Sequence, residues 1–372
     1  MRKPRVLELI ATALVMASCG TSQQSSGSPS TAASPAPAPA PVEATDVVTR
    51  AERGDIDAQV LLGTMYAEGR GMPRDLAVAG TWFERAATSG DPRAHYALAV
   101  LAEDPAARIR HLDIAARADH APALRGLGLA YLRGEGLAQN EVESARLLAR
   151  AADRGDAEAG FVLGMLLAEG RGVEPDALES VRRWQAAAEQ GFALAQRSLA
   201  TALAKGRGVA ADPELAVTWL RRAADQGLAE AQADLGLALV EGRGTAANPV
   251  EAALWLRRAA EADVAVAQSN LALLHLKGEG VPQDDAIAAH WFQRAAERGV
   301  GAARQRLAML YELGRGVAQD DARAFAWYTL AEAAGERSAR ERRDALERRM
   351  TSDRVEAGRE LARDIAARLG PL

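Results

Sequence analysis

The nine residues "AEGRGVEPD" at 168–176 pose the question on which the fold turns. Two glycines flank an arginine and an acidic residue closes the stretch. Phosphate-cradling loops share that shape with plain bends between helices. Three features exclude the phosphate loop. There is no third glycine or Gly-Lys-Ser/Thr ending, the preceding residues read as helix rather than strand, and Asp176 stands where a phosphate would bind. The shape also recurs, at Gly69/Gly71, Gly134/Gly136, Gly170/Gly172, Gly206/Gly208, Gly242/Gly244, Gly278/Gly280 and Gly314/Gly316. From the second pair onward the interval is 36 residues; the first interval, 65, leaves room for one more unit that is seven residues short.

Aligned on the glycines, the full units share a helical stripe. Ala58, Ala123, Ala159, Ala195, Ala231, Ala267 and Ala303 form one column, and leucine follows four residues later in every unit, from Leu62 to Leu307. Gly or Ala comes next, and three residues on stands a larger side chain such as Tyr66, Leu167 or His275. These spacings lie on one helix face, where small residues admit a neighbouring helix and large ones fill the remaining space. The first glycine ends that helix in the left-handed conformation. Asp75, Asn140, Asp176, Asp212, Asn248, Asp284 and Asp320 then supply the N-cap of a second helix, with Pro213 and Pro249 at its first position. That helix carries tryptophan at 82, 219, 255, 291 and 327, displaced by one at Trp184, and the fixed register reads as core. The short unit, 88–116, keeps Ala94 and Leu98 but reads "AEDPAA" in place of the glycine pair and cap.

The columns predict an all-α chain: an α/α solenoid of about eight 36-residue helix-turn-helix repeats over 47–331, closed by capping helices over 332–372. The pattern A-x-x-x-L-G-x-x-Y-x-x-G-x-G-V-x-x-D-x-x-x-A-x-x-W-x-x-R-A-A resembles the Sel-one-like repeat (SLR), a branch of the tetratricopeptide superfamily, over roughly 50–331. That resemblance implies a non-catalytic scaffold or adaptor in envelope complexes, including polysaccharide export and cell-wall assembly. It also brings to view secreted or host-interacting repeat proteins, and cysteine-rich members linked to β-lactam binding or hydrolysis. Those carry a disulfide in each repeat, whereas this chain has one cysteine. The last segment looks like the family's C-terminal cap, with Thr351 or Ser352 opening the final helix and Gly370-Pro371 stopping it.

Residues 1–19, "MRKPRVLELIATALVMASC", have a basic start, an apolar run and small residues before Cys19, the layout of a secretory signal. The stretch resembles a bacterial lipoprotein signal with "MASC" as its box. The resemblance implies lipidation of Cys19 and, with Gly20 after it, anchoring at the periplasmic side of the outer membrane. Residues 20–46 are rich in Ser, Pro and Ala and read as a disordered tether, reaching on the order of 80 Å at ~3.1 Å per residue.

Chemistry is sparse. A net charge of −5 supplies no cationic surface for nucleic acid. One cysteine allows neither an internal disulfide nor a cysteine zinc cluster. His95, His111, His120, His275 and His290 show no metal-ligand spacing. His275 reads as a packing residue, and surface position accounts for the three histidines in or just after the short unit. No nucleophile elbow occurs, and no metal or cofactor is expected. The remaining candidate is the non-core face of the first helices, where proteins or peptides would bind. One column holds Thr64, Leu129, Met165, Thr201, Leu237, Leu273 and Met309; the other holds Leu61, Gly126, Val162, Ser198, Asp234, Asn270 and Arg306. The first column is more apolar than a solvated face requires.

Overall fold

The computed structural model describes residues 41–370, so Cys19, the leader and residues 20–40 of the expected tether lie outside the described residues. Nineteen helices and no strand occur among the described residues. Helix α1 (Pro41–Glu52) takes in the last six residues of the expected tether, since beyond Pro41 the stretch contains no further proline or glycine to break it. The repeat units follow as helix pairs: α2 (Ile56–Glu68) with α3 (Leu76–Ala87), then the short unit α4 (Pro92–Leu101) with α5 (Pro105–Arg117). After these come α6 (Ala121–Arg133) with α7 (Glu141–Asp153), α8 (Ala157–Glu169) with α9 (Ala177–Glu189), and α10 (Ala193–Lys205) with α11 (Pro213–Asp225). The array ends with α12 (Ala229–Glu241) and α13 (Pro249–Glu261), α14 (Ala265–Lys277) and α15 (Asp285–Glu297), and α16 (Gly301–Leu313) and α17 (Asp321–Ala333). Helices α18 (Arg337–Glu347) and α19 (Ser352–Leu369) close the C-terminal end, both packed on α17.

Each joint is closed from both sides. Gly170 has φ +67° and donates its N–H to the Leu166 carbonyl, ending α8. The Asp176 N–H bonds back to the Leu167 carbonyl at 3.0 Å, while its side chain accepts from the Glu179 N–H. The same double closure recurs at Asp75, Asn140, Asp212, Asn248, Asp284 and Asp320. The second glycine has a different task. A Cβ on Gly172 would overlap the Glu141 carbonyl, at the first residue of the preceding unit's second helix, and Gly208, Gly244, Gly280 and Gly316 meet Ala177, Pro213, Pro249 and Asp285 in the same way. These five loops are thus seated directly on the backbone of the unit before them.

The short unit replaces the long joint with three residues, 102–104, and its second helix is capped after all. Asp104 accepts from the N–H groups of Ala106 and Ala107, with Pro105 at the first helical position. The cap escapes the 36-residue register because the joint has shortened around it.

The alanine and leucine columns are buried in every full unit and carry the core along the array. Where the small column is glycine, the facing helix presses a large side chain onto it: Phe83 on Gly63, Leu148 on Gly128, Trp184 on Gly164 and Leu256 on Gly236. Trp219, Trp255 and Trp327 are buried, whereas Trp82 and Trp291 are only half-buried. An arginine three residues on covers the ring at Trp82, Trp219, Trp255 and Trp291, with its guanidinium carbon 4.5–5.0 Å from the centroid. At the end of the chain Thr351 occupies the N-cap of α19 without a side-chain bond to the helix. Gly358 lets α19 approach Phe325 of α17, where a Cβ would stand 2.9 Å from the ring.

Candidate partner-binding groove

The first helices set the candidate groove. Leu61 is 44% exposed, and Met165, Leu237, Leu273 and Met309 are half-buried on α8, α12, α14 and α16. Met165 packs against the central core and Leu273 and Met309 against the C-terminal one, leaving part of each side chain outside. Val162 does not belong to this face: it is 1% exposed. Its helix, α8, buries Phe161, Leu163, Gly164, Leu166 and Leu167 as well, and a helix apolar on nearly every side is enclosed rather than presented. Leu129 is buried for the same reason on α6.

Several polar members of the two columns are already bonded within the protein. Thr64 and Thr201 donate their hydroxyls to the carbonyls of Val60 and Arg197, and Asn270 Nδ2 donates to Val266 at 2.7 Å. Asp234 accepts from Arg197 Nε of the preceding unit at 2.6 Å. A parallel bridge joins Arg125 to Asp156 and Glu158 at 3.1 and 3.0 Å. Burial pushes the Glu158 carboxyl above its ordinary value, against the pull of Arg125. Ser198 and Arg306 are half-buried.

The three histidines in or just after the short unit are buried or half-buried rather than on the surface as expected, whereas His290 is exposed. His95 is 9% exposed, and its Nδ1 stands 3.1 Å from His111 Nδ1 across the short unit. His120 packs against Tyr96, with its Nδ1 buried and unpartnered. No group of three or more metal-ligating side chains occurs among the described residues. No described helix is long and apolar enough to cross a membrane.

Two further columns emerge only from the structure. The residue after the invariant alanine reaches back to the C-terminal carbonyls of the preceding unit: Gln59 to Ala51, Gln196 to Ala188, Gln232 to Ala224 and Gln268 to Ala260, at 3.1–3.2 Å. The second column is the residue between the two glycines. Arg171 bonds Glu141 at 2.6 Å and Arg315 bonds Asp285 at 2.8 Å. The loops that face Pro105 and Pro249 carry Glu135 and Glu279, whereas Arg243, facing Pro213, pairs with Glu241 of its own unit. The variable arginine of the opening stretch is therefore a clamp between units.

This geometry defines a tandem helical-repeat solenoid with an extended face. The Sel1 repeat family profile matches residues 56–91, 121–156, 157–192, 193–228, 229–264, 265–300 and 301–336, and the chain belongs to that family. Residues 92–120, which hold both helices of the short unit, fall between matches. The fold is similar to that of a Sel1 repeat protein from Oxalobacter formigenes, at 31% identity over 81% of this chain and 89% of that one, with a TM-score of 0.58. It is also similar to a protective antigen of uropathogenic Escherichia coli with an SLR fold, at 25% identity over 87% of each chain, with a TM-score of 0.56. No curated protein matches the chain in sequence. Sel1 repeats serve generally as protein-interaction scaffolds, a fold that is typically non-catalytic.

Proposed function

We propose that the chain is a non-catalytic scaffold tethered at the cell envelope, holding partner proteins along the face of its first helices. The observation that carries this is the row Met165, Leu237, Leu273 and Met309, partly open apolar side chains recurring on the first helices of separate units. Methionine and leucine adapt to varied partner surfaces, and an extended array offers a long, shallow contact rather than a closed cleft. Residues 20–40 act as the spacer and acylated Cys19 as the anchor, at the periplasmic side of the outer membrane. The description of the E. coli relative as a protective antigen is compatible with export.

Photo-crosslinkers at Met165 and Leu237 in the full chain test the face: capture of a defined envelope protein is expected, reduced by Leu273→Glu. Crosslinking indifferent to that substitution rejects the face. Label from a palmitate analogue should vanish in Cys19→Ser; label that persists rejects the anchor. Reproducible hydrolysis of cell-wall or β-lactam substrates, abolished by one groove substitution, would replace the scaffold reading with an enzymatic one.

A further inference from the structure

In a full unit the joint runs from Gly170 to Asp176 and its second glycine sits on the preceding unit. The short unit lacks most of that joint. The next loop also stands off: a Cβ on Gly136 would be 3.1 Å from its nearest atoms, on Pro105 and Ile109, a separation that leaves tight contact rather than backbone overlap. A cavity of about 540 Å³ opens at this place, bounded by Val100 of α4, Pro105 and Ile109 of α5, and Gly126, Leu129 and Arg133 of α6. Gly126 contributes by having no side chain where the column elsewhere carries Leu61, Asp234 or Arg306. The volume falls within the range of small-ligand sites, roughly 300–1,000 Å³.

The walls are mostly aliphatic, with Tyr96 among them, and the charged lining is Arg108, Arg125, Arg133, Glu135 and Glu158. Arg133 is 12% exposed in its side chain and reaches Glu135 through Nη1 only at 3.5 Å, while its Nη2 is buried without an acceptor. The same helical position elsewhere holds Glu68, Glu169, Lys205, Glu241, Lys277 and Leu313, all exposed. Only this unit, among those described, draws a charged end inward, and a buried donor without an acceptor is destabilising. Arg125 and Glu158 also border the cavity, but they neutralise each other at 3.0 Å. Arg108 is exposed and already bonded to the Ala102 carbonyl at 2.8 Å, so Arg133 is the lining cation that keeps a buried, unfilled N–H.

We infer that this cavity is a binding site for a small amphipathic carboxylate, an aliphatic chain lying among Val100, Ile109 and Leu129 with its carboxylate accepting from Arg133. The site shares the groove columns at Gly126 and Leu129 but uses none of Met165, Leu237, Leu273 and Met309, and it does not depend on a protein partner. Calorimetry on the full chain carrying Cys19→Ser tests it, with decanoate and the neutral decanol as probes below their aggregation limits. Saturable one-to-one binding of decanoate is expected, with decanol at least about tenfold weaker, equivalent to ~1.4 kcal/mol. Arg133→Met should bring decanoate down to the level of decanol. Val100→Trp, placed at an exposed mouth residue with little packing to lose, should block both probes, and Ile109→Trp should do so from inside. Circular dichroism of each variant verifies the fold. Absence of saturable binding, equal affinity for the two probes, or decanoate binding that survives Val100→Trp in a folded protein overturns the site.

Discussion

Two glycines of the same repeat separate two physical reasons for glycine. Gly155 has φ +87° with nothing near a prospective Cβ, whereas Gly172 has φ +69° and a Cβ there would enter the Glu141 carbonyl. Gly155→Ala should cost only the left-handed penalty, roughly 1–2 kcal/mol. Gly172→Ala adds a backbone clash between units, so a loss of about 3 kcal/mol or more is expected. Chemical unfolding of the pair checks this; equal losses would show that the loop is not seated as described. Arg304 poses a second single-residue test. It is 1% exposed, and it donates to the Ala296 and Leu330 carbonyls at 3.0 and 3.2 Å. Burial pushes its pKa down, and no carboxylate is among its bonded partners. Other units hold glutamine at this position, so Arg304→Gln retains the bond to Ala296 and removes a buried charge. It should be neutral or stabilising within about 1 kcal/mol, whereas Arg304→Ala should lose about 2–4 kcal/mol through the cavity and the unpaired carbonyls. A glutamine variant as unstable as the alanine one would show that the Leu330 bond dominates.

At the scale of the element, the N-cap of each second helix can be tested alone. Asp176→Ala should cost about 1 kcal/mol and Asp176→Asn a few tenths, because only the alanine loses the acceptor for the Glu179 N–H. Thermal unfolding of both decides it, and identical midpoints would deny the cap a role. These caps and the glycine stops are legible in the sequence because each acts on a single helix end within a few residues. Asp104 was harder to read, since recognising it by register requires the loop length that the short unit has changed. Contacts between units leave weaker traces. The column Gln59, Gln196, Gln232 and Gln268 is visible, yet nothing local says that it reaches eight residues back to the previous helix. Arg171 and Glu141 are 30 residues apart and meet only when two units stack. The face of the first helices is legible where one side of the helix is polar, and illegible at Val162, where the enclosure of α8 follows from packing on several sides.

The stability of the whole array is a sum of unit and interface terms, so its weakest interface decides where it opens. One apolar cluster extends from Ala99 to Trp255, whereas Ala51, Ala58 and Leu62 form a separate cluster on which Trp82 packs. The N-terminal cluster boundary, or seam, falls between α3 and the short unit, where Ala86 and Ala94 are nonetheless fully buried. The Arg93–Asp57 bridge, at 2.6 Å, joins α2 to α4 there, and an exposed pair contributes only about 0.2–1 kcal/mol. His95 and His111 sit beside the seam, with Glu84 of α3 acting on His111. Burial holds the His111 pKa below its ordinary 6.5, with repulsion from His95 and Arg110 adding and Glu84 opposing. Burial depresses His120 in the same direction. When a folded pKa is lowered, the unfolded chain takes up the proton first as pH falls. The stabilising contribution is therefore present above ~6.5 and is lost as pH falls through the folded value. The N-terminal block should loosen on mild acidification before the rest of the array. Trp82 is the one tryptophan in that block, and the difference in fluorescence between the native chain and Trp82→Phe isolates its signal. In urea this signal should change at a lower concentration than the helical circular dichroism, and the gap should widen from pH 7.5 to pH 5.5. His111→Gln, which keeps a hydrogen-bonding partner for His95 but does not titrate, should remove most of the widening. Coincident transitions at both pH values would mean that the array melts as one body and that the seam has no mechanical meaning.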